Sequence, residues 1–211
     1  MFNHLAQALG AAVITVSSLA GAGAVHAQAQ VQTQTQTGSD ALVRQISVDV
    51  IDAARADKAI QAGDTSRILA LVNAKVMPHI DFDAVTGSAV GPMWRDATPE
   101  QRSKLQTEFK TLLVRVYGGA LAQVRDQTVA VLKTVPVPGG TQVVVQTEIR
   151  GAGDRFRLDY RVAETGGVWK IIDVGIAGIW LVQSYRSQFA AELNKGGVDG
   201  LIAALAQRNK S

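Results

Sequence analysis

Few side chains in this sequence can move a proton, attack a carbon or hold a metal. His79 stands in "PHIDFD" with Asp81 and Asp83, Tyr160 in "RLDYRV" and Asp173 in "WKIIDV", and there is no cysteine. An imidazole with two nearby carboxylates is the raw material of acid/base or zinc chemistry. The spacing argues otherwise, because carboxylates directly ahead of an apolar helical run serve as helix-start groups. His79 at a helix junction then has a structural or capping role. The other two histidines, His4 and His26, fall in a stretch expected to be removed, so mechanisms needing two imidazoles are excluded and metal ligation is not expected. The missing cysteines remove thiol nucleophiles and thiolate metal sites. No GxSxG, P-loop or GxGxxG occurs. One enzymatic arrangement stays open, with Asp173 as base and Tyr160 as donor on an apolar substrate. The other reading of Asp173 is a strand-end or exposed aspartate.

The elements that would position these groups can be read from periodicity. In "DRFRLDYRVAETGGVWKII" Phe156, Leu158, Tyr160 and Val162 alternate with Arg155, Arg157, Asp159 and Arg161, the pattern of a half-buried strand. "TVAVLKTVPV", "TQVVVQTEIR" and "VWKIIDVGI" are its expected neighbours, joined by "PGG", "GAG" and "ETGG" as hairpin turns. The alternation leaves open whether the apolar face covers a solid core or lines a cavity. Ahead of the strands, Leu42, Ile46, Val50 and Ala53 recur at helical spacing. "GDTSRILALVNAKVMP" reads as a second helix opened by Asp64 or Thr65, and "HIDFDAVTGSAVG" as a third capped by Asp81.

The strongest local signal is "ATPEQRSKLQTEFKTLLVRVYGGALAQV". Thr98 is a natural N-cap, Pro99 suits the first helical position, and Gln101 completes a capping box. An apolar stripe from Leu105 to Val124 predicts one long helix, with Gly118 and Gly119 marking close packing or a bend. The chain ends on a second stripe, Val182, Tyr185, Phe189 and Leu193, broken at Gly196-Gly197. Helices followed by antiparallel strands predict an α+β domain with helices on one sheet face.

At the N-terminus "LAQALGAAVITVSSLAGAGA" is uncharged and apolar, and "VHAQ" offers Val25 and Ala27 to a signal peptidase, so residues 1–27 are expected to be a cleaved signal. Gly, Ser and Ala are too abundant in that run for a stable span. The polar tract at 28–38 is expected to be an unstructured leader and 39–211 a single domain. Removing 27 of 211 residues leaves 184, enough for one core held by packing alone. The net charge of +3 is far below that of nucleic-acid binders, and a solvated surface accounts for it.

Two stretches carry a family likeness. "VMPHIDFDAVTGSAVGPMWRDATPEQRSKLQTEFKTLLVRVYGGAL" and "WKIIDVGIAGIWLVQSYRSQFAAELNKGGVDGLIAAL" resemble the periplasmic phospholipid-binding proteins of the MlaC, or toluene-tolerance, family, with "P-x-x-DF", "W-R-x-A-T-P-E-Q", "WK-x-x-D" and "SYRSQF" in matching order. The likeness spans about residues 40 to 208. It implies a curved antiparallel sheet packed with helices around an apolar cavity, a cone of the NTF2-like kind, with no catalysis and no cofactor. It also implies a monomeric periplasmic carrier that exchanges lipid between an outer-membrane lipoprotein–porin complex and an inner-membrane ABC transporter complex, maintaining outer-membrane lipid asymmetry. The acyl chains would be held by Trp94, Phe109, Leu113, Tyr117, Leu121, Val143, Val145, Ile149, Phe156, Leu158, Tyr160, Ile172, Val174, Trp180, Tyr185 and Phe189, with the helix from Leu105 to Val124 as roof. Arg155, Arg157 and Arg161 would form a docking face on the other side. Trp180 stands where relatives commonly carry a small serine, and is expected on the cavity wall.

Overall fold

Helix α1 (Ala22–Ala56) opens the computed structural model, which describes residues 22–152 and 155–210. Most of the expected signal therefore lies outside the described residues. Residues 28–38, expected as a leader without structure, are helical here and continue into α1. The alanines and glutamines of "AQAQVQTQTQ" carry little helical penalty, so a helix begun further along can extend through them without burying a face. The chain divides into two units after Thr35, and the packing described below belongs to the second, Gln36–Ser211.

Each later helix begins where a side chain supplies the acceptor its first N–H groups lack. Asp57 caps α2 (Lys58–Gln61), Asp64 caps α3 (Thr65–Leu71), and Asp81 caps α4 (Phe82–Val90), which ends at Gly91 with φ 78°. After α3 the helix widens to a π turn over Val72–Val76, then tightens to a 3₁₀ turn over Met77–His79. The capping box of Thr98 and Gln101 forms as expected at the start of α5 (Pro99–Tyr117), with Pro99 in the first turn. The long helix stops earlier than its stripe suggests, at Gly118, and a short α6 (Gly119–Ala122) follows. A Cβ at Gly118 would come within 2.9 Å of Ile68 Cγ2 and also strike the Val114 carbonyl, so α3 approaches α5 there as only glycine permits.

The sheet is a five-stranded antiparallel meander in the order β1-β2-β3-β4-β5, made of β1 (Thr128–Pro136), β2 (Gln142–Arg150), β3 (Arg155–Thr165), β4 (Val168–Ile176) and β5 (Ile179–Trp180). Thr165 pairs with Val168 around Gly166 and Gly167, both at positive φ, the backbone a two-residue hairpin requires. The same turn recurs between β4 and β5, but with Ala177 at φ 50° ahead of Gly178, in a region alanine seldom visits. Helix α7 (Leu181–Arg208) closes the chain and breaks at Gly196 and Gly197 as expected; its second half packs Leu201 and Leu205 back onto α5. Helices followed by one antiparallel sheet make the fold α+β, in agreement with the sequence reading.

Candidate functional site

Register sorts the residues of β3 onto two faces. Val143 pairs with Val162, Val145 with Tyr160, Thr147 with Leu158 and Ile149 with Phe156; Tyr160 in turn pairs with Val174. These form the apolar face. Arg157, Asp159, Arg161, Asp173 and Gly175 share the other. The alternation of the sequence thus survives intact across three strands, as a period of two requires.

The apolar face is covered by α1. Val43 and Ile46, with Leu42 and Val50 at their sides, pack on Val143, Val145, Tyr160, Val162 and Ile171. Tyr160 is buried, with its hydroxyl 3.4 Å from Ser47 Oγ, and burial raises its pKa. The expected roof, the helix from Leu105 onward, lies elsewhere. Phe109 of α5 packs with Tyr185 and Phe189 of α7 at ring distances of 4.9 and 5.1 Å, inside a cluster of α4, α5 and α7 that contains no strand residue. An apolar stripe specifies that a helix face is buried but not against which partner, and α1 takes the sheet because its own stripe meets it first.

The buried apolar side chains among the described residues fall into three clusters, where a domain of this size ordinarily has one. The sheet and α1 make one, α4, α5 and α7 the second, and the third joins the end of α1 to α2, α3, α5 and the chain after α6. The sixteen side chains expected to hold lipid are spread over all three. Val143, Val145 and Tyr160 belong to the sheet cluster with Leu158 and Val174 at its margin; Phe109, Tyr185 and Phe189 are the centre of the helical cluster with Trp94 and Leu113 at its margin; Leu121 edges the third. Ile149 is buried, while Ile172 is the extra residue of a bulge opposite Arg161 and Val162. Phe156 and Tyr117 remain 45% and 37% exposed. Sequence reading missed Val43, Ile46 and Ile179; the last is 64% exposed beside Ile176, and the two-residue strand that carries it leaves no periodic signal.

The charged face holds the remaining expectations. Trp180 pairs with Gly175, and its ring lies over that glycine, where a Cβ would approach it to 3.3 Å; Arg161 stacks on the same ring at 4.7 Å. Trp180 is therefore on the face opposite Tyr160, a correction to its expected place on a cavity wall. The two-residue turn sets this parity. Asp173 Oδ1 accepts from the N–H of Val174 at 2.8 Å and of Val182 at 3.1 Å, so it caps the start of α7 from the strand. This also dissolves the base-and-donor arrangement, since Asp173 and Tyr160 face opposite ways. The arginines are not a free row either: Arg157 Nη2 donates to Asp159 Oδ2 at 3.0 Å, Arg155 lies 4.0 Å from Glu148, and Arg161 is stacked. Among the described residues, no three of His, Asp and Glu come close enough to hold a metal ion.

Burial raises the Asp173 pKa, opposed by its two backbone N–H donors and the neighbouring Arg161. The folded state thus holds that proton more tightly than the unfolded chain. Its stabilising contribution is full below the unfolded pKa and fades as pH rises through the folded one. Replacing Asp173 by Ala strips two N–H groups of their acceptor and should cost about 1–3 kcal/mol. Asp173→Asn keeps an oxygen in place and should cost less in chemical denaturation. Equal losses would mean that the charge toward Arg161, rather than the cap, is what matters.

Residues 44–207 match the family model described as MlaC protein. The chain is 27% identical over 160 residues to the toluene tolerance protein Ttg2D of Pseudomonas putida, covering 75% of this chain and 74% of that protein. It is 20% identical over 170 residues to the intermembrane phospholipid transport system binding protein MlaC of Haemophilus influenzae, covering 79% of each. Among solved structures, a phospholipid-binding protein from Ralstonia solanacearum in complex with a phospholipid superposes with a TM-score of 0.77 at 39% identity, over 82% of this chain and 97% of that one.

Proposed function

The chain belongs to the MlaC family, and from that premise we propose that it is a periplasmic phospholipid carrier without catalytic activity. The observation that carries this reading is the Ralstonia solanacearum relative, which has the same fold over nearly all its length and holds a phospholipid. The division of the apolar side chains into three clusters supports it, because acyl chains need apolar surface that the protein has not already spent on itself. The partly buried margins, Leu158 and Val174 on the sheet, Leu113 on α5 and Leu121 on α6, are where the chains lie in this reading.

The physical demand is severe. At about 0.8 kcal/mol per buried CH₂, two chains of roughly thirty methylenes cost on the order of 25 kcal/mol to expose to water. A carrier must enclose them almost wholly. In the same reading residues 1–27 are the export signal and 39–211 the carrier domain. The monomer exchanges lipid between an outer-membrane lipoprotein–porin complex and an inner-membrane ABC transporter complex, which sustains lipid asymmetry of the outer membrane. Arg155, Arg157 and Arg161 were expected to dock these complexes, and their partial pairing leaves Arg155 as the freest of the three.

Lipid extraction and mass spectrometry of protein purified from the periplasm of a Gram-negative host test the proposal. The expected result is near-stoichiometric diacyl phospholipid. Protein that is folded, empty and unable to take lipid from vesicles would sink it.

A further inference from the structure

One corner of the sheet gathers several irregularities. Where β3 begins and β4 turns into β5, a groove of about 520 Å³ is lined by Arg155, Phe156, Arg157, Asp159, Ala177 and Gly178. Phe156 and Ile179 expose 45% and 64% of their surface there, although both belong to the apolar face that continues inward through Leu158 and Ile176. Large apolar side chains left in water at one place mark a surface that meets something. Beside them stand two guanidinium groups. Arg157 is steadied by Asp159, which is 8% exposed, through one bond of 3.0 Å from Nη2 to Oδ2; Arg155 reaches Glu148 only at 4.0 Å. Both arginine side chains are at least half exposed, at 72% and 50%, so most of their donors face solvent. The turn at Ala177, held in left-handed backbone and bonded through its N–H to the Arg157 carbonyl, fixes the groove's far wall.

An apolar face that runs out to an exposed phenylalanine and meets paired guanidinium groups matches an amphiphile whose anion adjoins its tails. Guanidinium forks fit a phosphate's oxygens in a way an ammonium does not. We propose that Arg155 and Arg157 bind the phosphate of a diacyl phospholipid at this corner, with the first carbons of its chains over Phe156 and Ile179. This rests on the carrier reading and adds to it the group that the protein recognises: the phosphodiester common to all phospholipids, and not the alcohol beyond it.

Lipid-free protein is offered vesicles containing equal amounts of phosphatidylglycerol and of diacylglycerol with the same chains, and the lipid bound after repurification is counted by mass spectrometry. The expected preference for phosphatidylglycerol is about tenfold or more, the scale of a charge-assisted contact. It should fall toward one in the double variant Arg155→Gln/Arg157→Gln and be partly restored by Lys at both positions. Equal uptake by the unaltered protein, or a preference that survives the double variant, overturns the phosphate site while leaving the carrier reading standing. Uptake of neither lipid overturns both. Binding of inorganic phosphate by the lipid-free protein, together with equal uptake of the two lipids, would make the arginines a free-anion site and overturn the assignment.

Discussion

Phe109→Ala should lower stability by about 3–5 kcal/mol, the range for removing a fully enclosed aromatic ring. Phe109 is 1% exposed and touches Phe82, Tyr185 and Phe189 at ring distances of 5.9, 4.9 and 5.1 Å, two of them edge to face. No other ring is shared by α4, α5 and α7 in this way. For a domain of this size the loss corresponds to a fall in Tm of roughly 6–20 °C, read by calorimetry or circular dichroism. A fall of only a degree or two would mean that the helices repack around the gap, and that the aromatic set is not the centre of the helical cluster.

The second large effect concerns function. Leu158→Glu should cut the phospholipid retained per protein by about a hundredfold, since an unpaired carboxylate among acyl chains costs several kcal/mol and each 1.4 kcal/mol is a factor of ten. Leu158 sits at the margin of the sheet cluster, so the substitution faces the proposed chains more than the packed core. A cooperative thermal transition in the variant shows that the domain still folds. Leu113→Glu, at the margin of the helical cluster, repeats the test from the other side. Normal lipid content in both folded variants would place the chains elsewhere.

Local chemistry was legible in the sequence wherever a side chain talks to its own neighbourhood. The capping box at Thr98, the Asp64 and Asp81 caps, the break at Gly196-Gly197 and the four long strands all rest on contacts a few residues apart, and all appear. What could not be read is partner choice. The stripe of α5 and the stripe of α1 look alike on paper, yet α1 covers the sheet and α5 joins the helices. Trp180 failed for a different reason. Its face depends on a two-residue turn at Ala177-Gly178 that lacks the usual Asn-Gly signal, and one residue more or less would have put it on the other side. The bulge at Ile172 is invisible for the same cause: a skipped partner leaves no trace in a single strand's pattern.

The break in α7 also bears on when the molecule can be finished. Leu201 and Leu205, each 1% exposed, fold back over the helical cluster, and Asn209 Nδ2 bonds both the backbone and the carboxylate of Glu108, about a hundred residues earlier. Gln101 and Asp199 are bonded across a similar separation. A ribosome delivers these closing residues last, so throughout synthesis α5 waits with its apolar stripe uncovered. Long-range closure of this kind also slows folding once the chain is complete. The same architecture that seals the helical core at its final turn therefore keeps the nascent chain open, in the threadable state that passage through a secretion channel needs.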